Sequence, residues 1–440
     1  MHSNQSWDLL ILGRMVLTMD DGVEPIKGGA VAVADGKIVE IGPASSLLEK
    51  APTCEVLDAG NCLVMPGLVN THSHLAMSLL RGLADDLPLK TWLEEHIWPA
   101  EGKFMDRETV ALGTRLAVAE QLLGGITTTT DMYFFADAVC EVLAEAGMRG
   151  VIAESLIDAS TPRCATPEEM AAKQRELCEA WSNHPLITPS IAAHAPYTVC
   201  AANLVKEAEL ADEFGVPLQI HLSETRWEVE TSIESKGASP VAYLEDLGFL
   251  SEQVVAAHCV HLDQRDIEIL AENRVGVSHN PVSNLKLASG IAPVPAMLEA
   301  GVRLGLGTDG AASNNTLDLL RDLQIAALLH KSISGDPTTM PASTVLSAAT
   351  RGGAEILGLG NRVGVLKAGM EADIACFSLD HVHSTPIYDP WSHMVFAARA
   401  SDARHVVVRG KVVVRDQKLT TMDLDEIRSK SAEVAAKIAG

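Results

Sequence analysis

The chain has 440 residues, 47% of them hydrophobic and 21% charged, which is enough for a large core and ordinary for a globular protein. A net charge of -24 and a sequence pI near 5.0 exclude broad electrostatic binding to nucleic acid or anionic membrane, but not a locally held anion. The start "MHSNQSWDLL" carries no basic, apolar leader, and no stretch approaches the roughly 18 apolar residues of a membrane span. Eight scattered cysteines form no CxxC pair, so reduced core thiols and a cytoplasmic location are expected.

From Trp7 to about Cys62 the chain reads as short strands and turns, with Asp35-Gly36 at a hairpin tip in "VADGKI". Eight strand-like runs follow: "CLVMPGLVNTHSH", "GITTTTDM", "RGVIAESLID", "LITPSIAAHAP", "VPLQIHLSE", "QVVAAHCVHL", "RVGVSHNPVSN" and "VRLGLGTDG". Amphipathic stretches such as "RETVALGTRLAVAEQLLGG" and "NLVKEAELADEFG" lie between most of them, each closed by glycine. This alternation predicts an α/β fold, a (β/α)8 barrel over residues 63–363. After about Gly364 the short-strand texture returns, with Arg409-Gly410 at a turn, and the chain ends in an amphipathic helix. Residues 1–62 and 364–440 are expected to form one small composite β-sandwich.

The chemistry sits at the ends of the eight runs, which a barrel gathers on one face. Run one is read as a single buried strand ending in His72 and His74, two residues apart and therefore aimed to one side. Run four ends in His194, and run five carries His221 and Glu224. Run six carries His258 and His261, run seven His279, and run eight ends in Asp309. Imidazoles and a carboxylate converging in this way point to a divalent metal, zinc before iron(II) or manganese, with one position left for water. Such a metal makes hydroxide available at neutral pH. Asp309 and Glu224 are the candidates to accept the water's proton and to protonate the substrate.

The motifs "PGLVNTHSH", "HAPYT", "IHLSET", "AAHCVHL", "SHNPVSNLKL" and "GTDGAASNN" resemble the amidohydrolase superfamily, in its cytosine deaminase-like and triazine-hydrolase branch. The resemblance implies His72, His74, His221 and Asp309 as ligands of one metal, since no lysine stands at the end of run four to carry a bridge to a second. It implies Glu224 as the proton shuttle to a ring nitrogen, and His258 as the group that hydrogen-bonds the attacking water or polarises the reacting carbon. "LLRGLADDLPLKTWLEEHIWPAE" and "SHNPVSNLKLASGIAPV" are closest to deaminases of 5′-methylthioadenosine and S-adenosylhomocysteine. There the positions matching Glu101 and His194 hold the ribose hydroxyls and contact the substrate, and Ser313 adds a polar contact near the ribose.

One position departs from that pattern. Several family members carry an arginine at the end of run three to pair with the homocysteine carboxylate; here Glu154 stands there, with Arg163 in the next loop as a substitute. The swap argues for 5′-methylthioadenosine, adenosine or 5′-deoxyadenosine over S-adenosylhomocysteine.

Bland readings stand beside these. His261 reads as structural, His279 as either core or site, Trp92 and Trp98 as packing or as the wall of a purine pocket, and Asp85-Asp86 as a solvated loop. Taken without the resemblance, Glu101 reads as an exposed helix carboxylate. The expected partner is a small purine nucleoside, with no nucleic acid and no membrane, in a homo-oligomer. The alternatives are a hydrolase of a free heterocycle (guanine, 8-oxoguanine, a pterin, cytosine or an s-triazine) and a non-catalytic scaffold barrel.

Overall fold

The computed structural model describes residues 7–50 and 54–439. Eight parallel strands follow one another around a single nine-stranded sheet: Leu68–Asn70, Ile126–Tyr133, Arg149–Leu156, Ile191–Ala193, Leu218–Leu222, Val254–His258, Gly276–His279 and Arg303–Leu306; the ninth, Ile187–Pro189, pairs with Arg149–Leu156 and is the first half of the expected fourth strand. The last strand meets the first: the Thr71 amide donates to the Leu306 carbonyl, and the Asp309 amide to the His72 carbonyl, both at 3.0 Å. This is the (β/α)8 barrel that the alternation predicts. Local chemistry sets the helices between the strands. Asp106 caps Arg107–Leu123, Thr166 caps Pro167–Trp181, and Gly147 and Gly215 close their helices in left-handed conformation.

The expectation of one strand through "CLVMPGLVN" needs correcting. Cys62–Pro66 belongs to a different sheet, and the barrel begins only at Leu68. Gly67 makes the break: a Cβ there would lie 2.2 Å from the Thr127 side chain. His72 and His74 therefore sit just beyond the strand, in the loop at the barrel's rim.

The flanks pair as two sheets. A four-stranded sheet comes from the first flank alone, in the order Lys37–Pro43, Gly29–Ala34, Leu9–Leu12, Glu55–Asp58. The seven-stranded sheet mixes both flanks, with Ile374–Ser378 antiparallel to Cys62–Pro66. Leu9, Val33, Val64, Ile374 and Val407 share one core between the sheets. Both expected turns have two central residues at positive φ, Asp35 (51°) with Gly36 (75°) and Arg409 (46°) with Gly410 (76°). Such pairs match the right-handed twist of a hairpin. The last helix, Leu424–Ala439, packs on barrel helix Arg107–Leu123. Among the described residues, no helix is long and apolar enough to cross a membrane.

One buried side chain ties the barrel to the sandwich. Arg149, fully buried at the start of its strand, donates from Nε to Asp373 at 2.8 Å and from Nη2 to Glu371 at 2.6 Å. Asp373 also accepts the Arg409 amide at 2.8 Å, so the cation is matched by carboxylates that are themselves held. Removing one partner of such a buried set strands the other charges. Arg149→Leu is therefore expected to lose about 3–5 kcal/mol of stability. Urea unfolding followed by far-UV circular dichroism checks this, and an unchanged midpoint would refute it.

Candidate metal and nucleoside site

The sequence places its histidines at run ends, and the structure brings five polar groups to one spot on the barrel's rim. The ring centroid of His72 lies 4.9 Å from that of His74, 4.9 Å from His221 and 5.4 Å from His258. Asp309 Oδ1 lies 3.5 Å from His72 Nε2 and 3.4 Å from His74 Nε2, and His221 Nε2 faces His74 Nε2 at 3.3 Å.

The hydrogen bonds around the rings fix their tautomers. His74 Nδ1 meets the Met132 carbonyl at 2.9 Å, and His221 Nδ1 meets the His194 carbonyl at 2.7 Å. Carbonyls only accept, so both Nδ1 atoms carry the proton and both Nε2 atoms present bare lone pairs. His72 Nε2 is buried and has no hydrogen-bond partner. Burial pushes His72 down to about 4 against the pull of Asp309, so its ring is also neutral. Burial opposes ionisation of Asp309 too, but His72, His74 and His258 together hold its carboxyl well below the usual range. The lone pairs of His74 and His221 and the anion of Asp309 thus converge beside the neutral ring of His72. That donor set fits a divalent cation with nitrogen and oxygen ligands.

The groups beside the cluster are also in place. Glu224 is buried, with Oε2 3.8 Å from His258 Nε2. Burial raises its carboxyl pKa, Asp309 adds to this, and His258 opposes it. His258 Nδ1 donates to Asn284 Oδ1 at 2.8 Å, which leaves Nε2 facing the cluster. Burial lowers the His258 pKa, but Glu224 and Asp309 outweigh it and hold the ring above its ordinary value. His194 lines the same cleft and bonds Thr198 through Nδ1 at 2.8 Å. Ser313 lines it as well, its hydroxyl donating to the Gly310 carbonyl.

Glu101 is not an exposed helix carboxylate. It is 5% exposed, and its Oε1 accepts the Tyr133 hydroxyl at 2.6 Å. Burial pushes its carboxyl up to about 7, with Tyr133 opposing. A narrow inner cleft of about 100 Å³ at the cluster adjoins an outer chamber of about 950 Å³, and Glu101, Trp98 and Tyr197 line both. Trp92 and Trp98 both wall the inner cleft.

Other expectations change. Glu154 does not face the cleft: its carboxylate accepts the Ala136 amide at 2.9 Å at the start of helix Ala136–Ala146. It also pairs with Arg163 at 2.8 Å, and Arg163 binds Asp137 at 2.6 Å. Arg163 is thus committed away from the site and does not replace the family's arginine. His279 meets His330 at 3.3 Å and lines neither the cleft nor the chamber. Asp85 is not merely solvated, since it pairs with Lys286 at 2.6 Å.

Sequence reasoning missed Tyr133 on Glu101, Ser283 donating to Asp309 Oδ2 at 2.6 Å, and Asn284 on His258. Ser283 and Asn284 lie inside the quoted motif "SHNPVSNLKL", but nothing in their spacing shows what they touch.

Residues 63–413 match the model of the amidohydrolase family. The chain belongs to that family. Residues 29–53 also match an imidazolonepropionase-like composite domain of bacteria. A relative from Syntrophobacter fumaroxidans, described as 5-methylthioadenosine/S-adenosylhomocysteine deaminase, is 47% identical over 431 residues, 98% of each chain. A solved adenosine deaminase from Xanthomonas campestris with bound zinc superposes with a TM-score of 0.97 at 38% identity, covering 99% of each chain. The atrazine chlorohydrolase of Arthrobacter aurescens, complexed with zinc, has a TM-score of 0.89 at 27% identity, covering 97% of this chain and 100% of its own. As an amidohydrolase, the chain is a hydrolytic enzyme whose buried His and Asp side chains suit a metal.

The converging lone pairs predict strong linkage between metal and stability. An ion at a hundredfold excess over its Kd adds about 2.7 kcal/mol. Chelator-treated protein should unfold at lower denaturant and regain its midpoint on reloading, whereas His72→Ala should show no such difference. Equal midpoints for treated and reloaded parent protein would refute a resident metal.

Proposed function

We propose that the protein is a zinc-dependent deaminase of adenine nucleosides: 5′-methylthioadenosine, adenosine, 5′-deoxyadenosine and S-adenosylhomocysteine. Each would give the inosine analogue and ammonia. The observation that carries this reading is Glu101, a buried carboxylate where the inner cleft adjoins the outer chamber. With the purine in the cleft beside the cluster, the ribose reaches that junction, and a carboxylate accepts two sugar hydroxyls. A free heterocycle has no ribose to occupy it. The 5′ substituent then enters the outer chamber, where Lys236 is the sole Lys or Arg among the lining residues. Its Nζ is engaged by the Pro196 carbonyl at 2.6 Å and sits 4.0 Å over the Tyr243 ring. That leaves a carboxylate poorly matched in this chamber, while a second outer cavity, which meets the inner cleft at Trp98, Tyr197 and Glu224, carries Lys90, Arg226 and Lys286.

In this reading His72, His74, His221 and Asp309 hold the ion. A divalent cation there supplies hydroxide at neutral pH by lowering the pKa of water by several units. Asp309 accepts the proton of the water that adds to C6. Glu224, which burial makes a ready proton carrier, delivers a proton to N1. His258, held by Asn284 and beside two carboxylates, donates from Nε2 to the developing oxyanion. The proton on Asp309 then passes to the amino nitrogen, the hydroxyl proton on the C6 oxygen returns to Glu224, the C6–N bond breaks and ammonia leaves. His194 and Ser313 contact the bound nucleoside. A cytoplasmic location and a homo-oligomer complete the proposal, as does the division into a catalytic barrel, from Leu68 to about residue 363, and a composite sandwich that takes in Cys62–Pro66. The pairing of Ile374–Ser378 with Cys62–Pro66 supports the sandwich.

Ammonia release from a panel of these nucleosides, guanine and cytosine tests the class. Turnover of a free base alone would overturn it. Glu224→Gln should lower kcat by roughly 10²–10⁴ with metal content unchanged. Glu101 binds hydroxyls best when ionised, so nucleoside KM should rise as pH falls below about 7. The rise should be about tenfold per pH unit well below that value. Glu101→Gln should abolish this dependence, and a pH-independent KM in the parent enzyme would refute the assignment.

A further inference from the structure

The turn that carries Glu224 cannot hold itself. Strand Leu218–Leu222 ends, Ser223 adopts a left-handed φ of 50°, and Thr225 begins helix Arg226–Lys236. A non-glycine residue in that region is strained and persists only where its surroundings over-determine it. The turn also leaves two amides without strand partners, those of Ser223 and Glu224.

Both amides go to one buried side chain. Glu228 accepts the Ser223 amide at Oε1 (3.0 Å) and the Glu224 amide at Oε2 (2.8 Å), and is 2% exposed. Its own amide donates to Thr225 Oγ1 at 3.2 Å. The sequence pattern is a capping box, Thr225-x-x-Glu228, but the carboxylate reaches past the cap residue to the two residues before it. From the other side, the Ser223 carbonyl accepts the Val260 and His261 amides at 3.0 and 2.9 Å.

The Glu224 side chain is gripped separately. Ser289 Oγ donates to Glu224 Oε1 at 3.1 Å. The Ser289 carbonyl in turn accepts His261 Nε2 at 2.6 Å. Oε1 is therefore occupied, while Oε2 faces His258. A carboxylate free to rotate would offer either oxygen, whereas this one is indexed.

We infer that Glu228 and Ser289 are positioning residues for Glu224: Glu228 fixes the strained backbone beneath it, and Ser289 selects Oε2 as the oxygen that carries the proton. Neither has a hydrogen bond to the cluster; their hydrogen bonds reach Glu224 and the turn beneath it, although Glu228 also lines the outer chamber. His261, which reads as structural in the sequence, serves the same arrangement by holding Ser289. The inference rests on the role assigned to Glu224 above.

The test compares metal-loaded Ser289→Ala, Ser289→Thr, Glu228→Gln and Glu224→Gln, with the double variant Glu224→Gln/Ser289→Ala, on 5′-methylthioadenosine. Ser289→Ala should lower kcat tenfold or more with KM within about twofold and metal content at parent level. Ser289→Thr, which keeps the hydroxyl, should restore most of it. Glu228→Gln sets an amide donor against a backbone donor and should lower kcat in the same way. Added to Glu224→Gln, Ser289→Ala should have no further effect. Parental kcat in both Ser289→Ala and Glu228→Gln, with Glu224→Gln inactive, would overturn the inference and leave the shuttle role standing. So would an equal loss from Ser289→Ala in the parent and in Glu224→Gln. An active Glu224→Gln would remove the shuttle role itself.

Discussion

Everything at the active face depends on one electrostatic problem: bare imidazole nitrogens and a carboxylate meet where water is scarce. Partnered Nδ1 atoms turn the lone pairs of His74 and His221 inward, and the buried Nε2 of His72 has only Asp309 Oδ1 near it, at 3.5 Å. Protonating a ring would relieve the repulsion, but burial disfavours it, as the depressed pKa of His72 shows. A shared cation is the arrangement that satisfies every atom at once. The groups behind these side chains follow from the same constraint. The Met132 carbonyl, the His194 carbonyl and the Ser283 hydroxyl hold His74, His221 and Asp309 in orientations that suit a cation.

The rim of the barrel stores backbone strain at the same places. Ser223, His258, Cys259 and Asp309 all have positive φ although none is glycine. Each lies at the end of a strand or just past it, where the chain must leave the sheet sharply to keep its side chain over the mouth. Hydrogen bonds to the rim offset the strain: Glu228 on Ser223, the His72 carbonyl on the Asp309 amide, and the Leu222 carbonyl on the Cys259 amide. The lower half of the molecule is under the opposite demand. There Arg149 and its carboxylates lock the barrel to a sandwich drawn from both ends of the chain, a rigid base beneath a strained face.

The division of space is the third element. The inner cleft is small and walled by Trp92, Trp98 and the cluster, and the outer chamber is larger and nearly without cations. Glu101 stands where they adjoin. The cluster thus sits in the inner cleft and the larger space lies outside it.

Much of this was legible in one dimension. The alternation of strand-like and helical runs, the glycine closures and the two hairpin tips all express local preferences of backbone and side chain, which neighbours in sequence decide. The gathering of His72, His74, His221, His258 and Asp309 was legible because a barrel sends every strand end to one face. The rest depends on contacts between distant residues. The break at Gly67 exists because Thr127 fills the space of a side chain, and Glu154 faces away from the cleft because a helix start and Arg163 claim it. Glu101 is buried because Tyr133, on another element, reaches it, and Glu224 is indexed by Ser289 from 65 residues away. Periodicity tells which way a side chain leaves its own backbone. Only packing decides what it meets.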